Sequence, residues 1–133
     1  MNIVLILVLS IHVLSAVFWA GGTFVLARTG AAHGERLFRP QLGSATLAVI
    51  AGVVLWGLLH RGGFGPMEKV LSGGALAAII AAGVQGAMGG PAVRRLRADP
   101  SDAGARARLA MAQRIAAVLL AIALICMVTA RYA

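Results

Sequence analysis

The residues able to do chemistry in this 133-residue chain are few, and His12 sits where a titratable group is least welcome. It interrupts a long apolar run, and an ionisable side chain inside such a run is costly enough to point to function. On a helix, Ser15, Ala16, Trp19, Gly22 and Thr23 fall on the same stripe as His12. An imidazole facing small residues and one flat aromatic suits a planar ring, and a neutral imidazole is an axial ligand for haem iron. Two other roles fit the same residue. One is a hydrogen bond to Ser15 or to a carbonyl of another helix, which would glue helices together. The other is a proton relay, although no apolar run offers a buried Asp or Glu to extend it.

The elements that must position His12 are helices in a membrane. Hydrophobic residues make up 60% of the chain and charged residues 12%, with a mean hydropathy of +0.91, well outside soluble composition. Four apolar runs, 2–27, 41–59, 70–90 and 110–130, each approach the roughly 20 residues that span hydrocarbon as a helix. They are continuously apolar rather than alternating, which argues against barrel strands. No cation precedes the first run and Arg28 follows it, so it reads as a span rather than a cleavable signal. Short connectors, 28–40, 60–69 and 91–109, make successive helices antiparallel neighbours in an all-α, up-down four-helix bundle forming one domain over 1–133. Asp99, Pro100 and Asp102 predict a cap, a first-position proline and an acidic first turn, so the fourth helix is expected over 100–131.

The cations set an expected orientation. Arg28, Arg36 and Arg39 lie in the first connector and Arg94, Arg95, Arg97, Arg106 and Arg108 in the third, against Arg61 and Lys69 in the second and Arg131 near the C-terminus. The positive-inside rule places connectors one and three in the cytoplasm and both termini outside, across a cell inner membrane. The net charge of +8 therefore belongs to juxtamembrane clusters facing anionic headgroups of the lipid bilayer, and not to a nucleic-acid groove.

Helix three carries Gly74, Ala78, Ala82, Gly86 and Gly90 at every fourth position, a small-residue seam read as intrachain packing in preference to a homodimer face. Gly52, Trp56 and His60 form a comparable stripe on helix two, read as an interfacial aromatic and a polar tip. His33-Gly34-Glu35, with Arg36 beside it, reads as a solvated connector. At 1.5 Å per residue, His12 lies roughly 15 Å below the outer surface, level with Ile50, Ile79 and Ala121, none of which can ligate a metal. The expectation is one strong axial ligand, with the opposite position open, weakly filled or supplied by a second protomer. Lys69, opening helix three, is equally readable as a snorkelling lysine or as a partner for a haem propionate or a carboxylated substrate.

His12, Trp19, Gly22, Arg28 and His33-Gly34-Glu35, in that order and spacing, resemble the first helix and connector of the HemJ-type protoporphyrinogen oxidases. The weaker pattern of His12 with Trp19-Ala20-Gly21-Gly22 is similar to the CopD-type copper-resistance membrane domains. The resemblance to the HemJ type extends to the four-helix layout, the length, the basic third connector and a lysine opening helix three. It implies that His12 binds b-type haem and that Lys69 is required for activity. The pattern departs from the family late in helix three, where Gln85 or Gly86 stands for a histidine, and at the opening of helix four, which reads Met111-Ala112-Gln113-Arg114-Ile115-Ala116 instead of Asn-Glu-x-Pro. The haem-binding part is better retained than the catalytic part.

Three functions are thereby framed. The first is a haem b protein that passes electrons or oxidises a lipophilic donor such as a quinol or tetrapyrrole. The second handles copper, using His12 with soft sulfur ligands. Cys126-Met127 is the sole adjacent pair of that kind, and Met1, Met67, Met88 and Met111 are scattered. With one cysteine, neither an intrachain disulfide nor a thiolate cluster is available. The third is a non-catalytic accessory subunit of a larger membrane complex.

Overall fold

The computed structural model describes residues 2–60 and 62–133; Met1 and Arg61, counted above among the methionines and the connector cations, lie outside the described residues. Among those described there are helices and no strand. They are α1 (Ile3–Arg28), α2 (Gly34–Leu59), α3 (Pro66–Val84), a π turn (Gln85–Gly89), α4 (Gly90–Ala98), α5 (Ala103–Thr129) and a closing 3₁₀ turn (Ala130–Tyr132). α3, the π turn and α4 run on as one helical span, so four helical spans long and apolar enough to cross a membrane make up the bundle. Only 17% of the most apolar window of α1 is buried within the protein. Its exposed Ile, Leu, Val and Phe side chains would be a severe liability in water and are the expected face toward lipid. The chain has the build of a multi-pass helical membrane protein.

Three helices differ in their boundaries from the sequence expectation. α2 starts at Gly34 rather than at residue 41, because Pro40 lies on its exposed face and the helix runs through it. Helix three opens at Pro66 and continues to Ala98 instead of stopping near 90. Pro91 lacks an N–H and would crowd the carbonyl four residues earlier, and the π turn directly before it loosens the ladder at that point. The fourth span starts at Ala103, with Asp102 and not Asp99 as its cap: Asp102 Oδ1 accepts the Ala105 N–H at 3.0 Å. Asp99 instead folds the connector, accepting from the Ser101 hydroxyl (2.6 Å) and backbone N–H (3.1 Å), which hold its carboxyl below the ordinary value.

The small-residue seam is also corrected. Gly74 and Ala78 are buried, but Ala81, Gln85 and Gly89 carry the line onward while Gly86 is exposed. A strict four-residue repeat drifts about 40° per step around a helix with 3.6 residues per turn, so it leaves the buried face within two turns. At Gly74 the approach is close enough that an added Cβ would lie 2.8 Å from Cys126 Cβ and 3.2 Å from the Ala123 carbonyl.

α1 packs along α2, α3 along α5, and α1 also along α5, whereas α2 makes little contact with α3. The core between the pairs is mostly alanine, with Trp19 and Leu120, and a second cluster around Phe38, Leu96 and Leu109 fills the arginine-rich end. Small side chains let the backbones approach, which substitutes for a hydrophobic drive that lipid removes.

Candidate functional site

Where α2 and α3 draw apart, toward the end of the bundle that carries the chain termini, they leave a cavity of about 870 Å³. That lies within the roughly 300–1,000 Å³ of small-molecule sites. All four spans line it, and the lining is aliphatic and aromatic apart from His12, His60 and Ser72.

His12 enters from α1. Its Nδ1 lies 2.8 Å from the Ala48 carbonyl on α2, and a carbonyl can only accept, so Nδ1–H donates. In the neutral ring the lone pair is then on Nε2, for which the described residues provide no hydrogen-bond partner. Gly52, one turn further along α2, makes room for the ring: an added Cβ would stand 3.1 Å from His12 Cε1 and 3.4 Å from Nδ1. The helix-gluing bond anticipated for His12 therefore exists, and it is made with the nitrogen that a metal-bound histidine commonly uses for orientation.

Of the other residues singled out on that stripe, Ala16 and Trp19 also line the cavity, while Ser15 and Gly22 do not. Ser15 is buried and returns its hydroxyl to the Ile11 carbonyl at 2.6 Å and the His12 carbonyl at 3.1 Å. Gly22 is half-buried, and a side chain there would meet nothing within 4 Å. Lys69 is exposed and outside the lining, which at that end of α3 is made by Met67, Leu71 and Ser72. Ile79 lines the cavity but Ile50 and Ala121 do not, their helices presenting Ala48 and Gly52 or Leu120 and Ala123 instead. Met127 shares the lining and Cys126 does not, packing at Gly74.

Trp19 closes the cavity floor through a polar cluster that the sequence reading missed. Its indole Nε1–H donates to Gln85 Oε1 at 2.7 Å. Gln85 Nε2 donates to Thr23 Oγ1 (2.9 Å) and Gln113 Oε1 (3.1 Å), and Gln41 Nε2 to the same two acceptors at 3.0 and 2.8 Å. Gln113 Nε2 returns a bond to Gln41 Oε1 at 3.0 Å, and the Thr23 hydroxyl donates to the Trp19 carbonyl at 2.7 Å. All four polar residues are at most 2% exposed, and each span places at least one member in a network where every buried polar side-chain atom has a partner. Three glutamines within apolar runs are its signal in the sequence, a weaker one than a histidine because an amide does not ionise.

No family model, curated protein or solved structure matches the chain.

At the far rim, His60 packs against Trp56 with ring centroids 4.8 Å apart and the planes tilted by 34°, and its Nε2 lies 3.9 Å from Glu68 Oε1. Glu68 is itself fixed, since its Oε2 accepts the Gly65 N–H at 2.9 Å. Gly52, Trp56 and His60, expected as an interfacial stripe, all face the cavity. His33-Gly34-Glu35, read as a solvated connector, is instead a structural joint. Glu35 pairs with Arg106 at 2.9 and 3.2 Å, and Gly34 lies so close to α5 that a Cβ would fall 2.6 Å from Leu109 Cδ2. Among the described residues no group of three His, Cys, Asp or Glu side chains is placed to hold a metal ion.

Proposed function

We propose that this protein is a b-type haem-binding protein of the inner membrane, serving electron transfer or the oxidation of a lipophilic donor such as a quinol or tetrapyrrole. The carrying observation is His12, with Nδ1–H held by the Ala48 carbonyl and Nε2 without a protein partner at the wall of an apolar cavity. A haem iron accepts one such imidazole, and the macrocycle supplies four further nitrogens, so a lone histidine suffices. Once bound, haem supplies one-electron chemistry that no side chain here provides. The chain's own residues hold and orient: Ala48 fixes the imidazole, Gly52 and Ala16 leave space beside it, Trp19 closes the floor and the aliphatic lining excludes water. The arginine-rich connectors lie in the cytoplasm and both termini outside.

Purified in detergent, the protein is expected to show a Soret band, with sharp α and β bands after dithionite, and His12→Ala to lose them while keeping its helical circular dichroism. A wild-type spectrum without a Soret band, or a band that survives His12→Ala, overturns the reading. Copper without iron in metal analysis would transfer the site to His12 with soft sulfur ligands.

A further inference from the structure

An up-down bundle of four spans has four sides, and three of them are closed by packing. α1 packs along α2, α3 along α5 and α1 along α5, while α2 and α3 scarcely touch. On that fourth side Val53 of α2 and Leu76 and Ile79 of α3 line the cavity and are nevertheless 66%, 59% and 53% exposed. Val53 lies six residues before α2 ends at Leu59, and Leu76 and Ile79 lie 10 and 13 residues beyond Pro66, where α3 begins. At 1.5 Å per residue these are depths of roughly 9 to 20 Å, within a hydrocarbon layer of roughly 30 Å. The side opening therefore faces acyl chains, not water or headgroups.

The two ends of the cavity are better filled than its side. At the floor, Trp19 is 3% exposed and held by its bond to Gln85. At the rim, the Trp56 ring packs against His60 and Phe64 with centroids 4.8 and 6.4 Å away. Water has little hold on the space between, because an ordered internal water needs about two to four polar partners. The lining is mostly aliphatic, and its Ser72 hydroxyl is already donated to the Glu68 carbonyl at 2.7 Å.

We propose that the acyl chain of a membrane phospholipid enters the cavity sideways between α2 and α3 and packs against the α1 wall at His12 and Ala16. Those two residues share the inner face of α1 with the buried Ser15, Trp19 and Ala20, yet are themselves half-buried, so the cavity reaches their surface. The chain stays in hydrocarbon along its whole path, crosses no water, and exchanges loose contacts with other lipids for a fixed apolar wall. The proposal needs no cofactor and goes beyond the haem reading, since it stands on the depth and shape of the opening. For any ligand of His12 it means that the route in leads through the bilayer and that binding displaces a lipid chain.

The experiment reconstitutes the full-length protein, without haem, in vesicles of phosphatidylcholine and phosphatidylglycerol that contain a phosphatidylcholine with a photoreactive diazirine midway along one acyl chain. After illumination, mass spectrometry maps the adducts. Leu14 and Val17 lie on the exposed face of α1 outside the lining and report ordinary surrounding lipid. In the wild type, adducts are expected at His12 and Ala16 in a yield comparable to that at Leu14 and Val17. Ala75→Phe adds a ring to the face of α3 that Ala75 shares with Ile79 in the lining. It is expected to lose the His12 and Ala16 adducts while keeping those at Leu14 and Val17, which also report that the bundle is still inserted. Wild-type label confined to outward-facing residues overturns the proposal without any variant. Inner adducts that persist unchanged in Ala75→Phe overturn entry between α2 and α3.

Discussion

At the arginine-rich end, the Arg106 guanidinium donates to the Ala31 carbonyl (2.8 Å), to both Glu35 oxygens and to the Pro100 carbonyl (3.2 Å), joining the 29–33 and 99–102 connectors. Between that tie and the cavity stand Gln41, Gln85, Gln113 and Thr23, bonded to one another from all four spans. Toward the other end, the single long-range side-chain bond of α1 among the described residues is the His12 contact with Ala48, and α2 and α3 separate around apolar space. The difference assigns separate tasks to the two ends. Polar bonds in the tied end hold the helices in register without help from a ligand, so the open end can leave its cavity wide and His12 Nε2 unmatched.

The strongest way to break that contrast is at the amide cluster. Gln113→Leu removes the acceptor shared by Gln41 and Gln85 and the donor to Gln41 Oε1, leaving buried amides on two other helices under-satisfied. Unsatisfied buried groups cost about 1–3 kcal/mol each, and measured hydrogen bonds between membrane helices run nearer 1. A loss of about 2–3 kcal/mol is expected in reversible unfolding in mixed micelles. If the amides are independent of one another, Gln85→Leu combined with Gln113→Leu would be additive, whereas a shared network gives a double variant scarcely worse than either single one. Arg106→Ala is expected to cost less, about 1–2 kcal/mol, because both partners of its ion pair are partly exposed. It also releases the turn in which Ala31 and His33 hold φ of 63° and 58°, a strain that non-glycine residues sustain only when neighbours enforce it. Faster proteolysis within 29–33 would register that release.

The helices and their membrane character were legible in the apolar runs, and His12 in its exceptional chemistry. What composition could not reveal depends on phase and on partners. The four-residue seam of helix three looked continuous, yet helix geometry turns it off the packed face by Gly86. The glutamines acquire a joint role only because three different spans bring Gln41, Gln85 and Gln113 within hydrogen-bond reach. His60 looked like an interfacial tip because its place in the lining requires α3 and α5 to be known. Pro40 and Pro91 looked like helix ends, although one sits on an exposed face and a π turn accommodates the other.

The smallest expected change in stability tests the open end most directly. Gly52→Ala gains about 0.8–1 kcal/mol of helix propensity, but its new Cβ stands 3.1 Å from His12 Cε1 and must displace the ring by a few tenths of an ångström. The gain and the crowding oppose each other, so thermal stability is expected to stay within about 1 kcal/mol of wild type. Haem affinity, however, is expected to fall roughly tenfold, the scale on which disturbed orienting contacts weaken metal sites. Gly43→Ala on the same helix is the control, since a Cβ there meets nothing within 4 Å: it gains the same propensity and leaves haem titration unchanged. Should both alanines raise stability and spare affinity alike, the Ala48 bond does not set the imidazole, and the contrast between a holding end and a binding end loses its central contact.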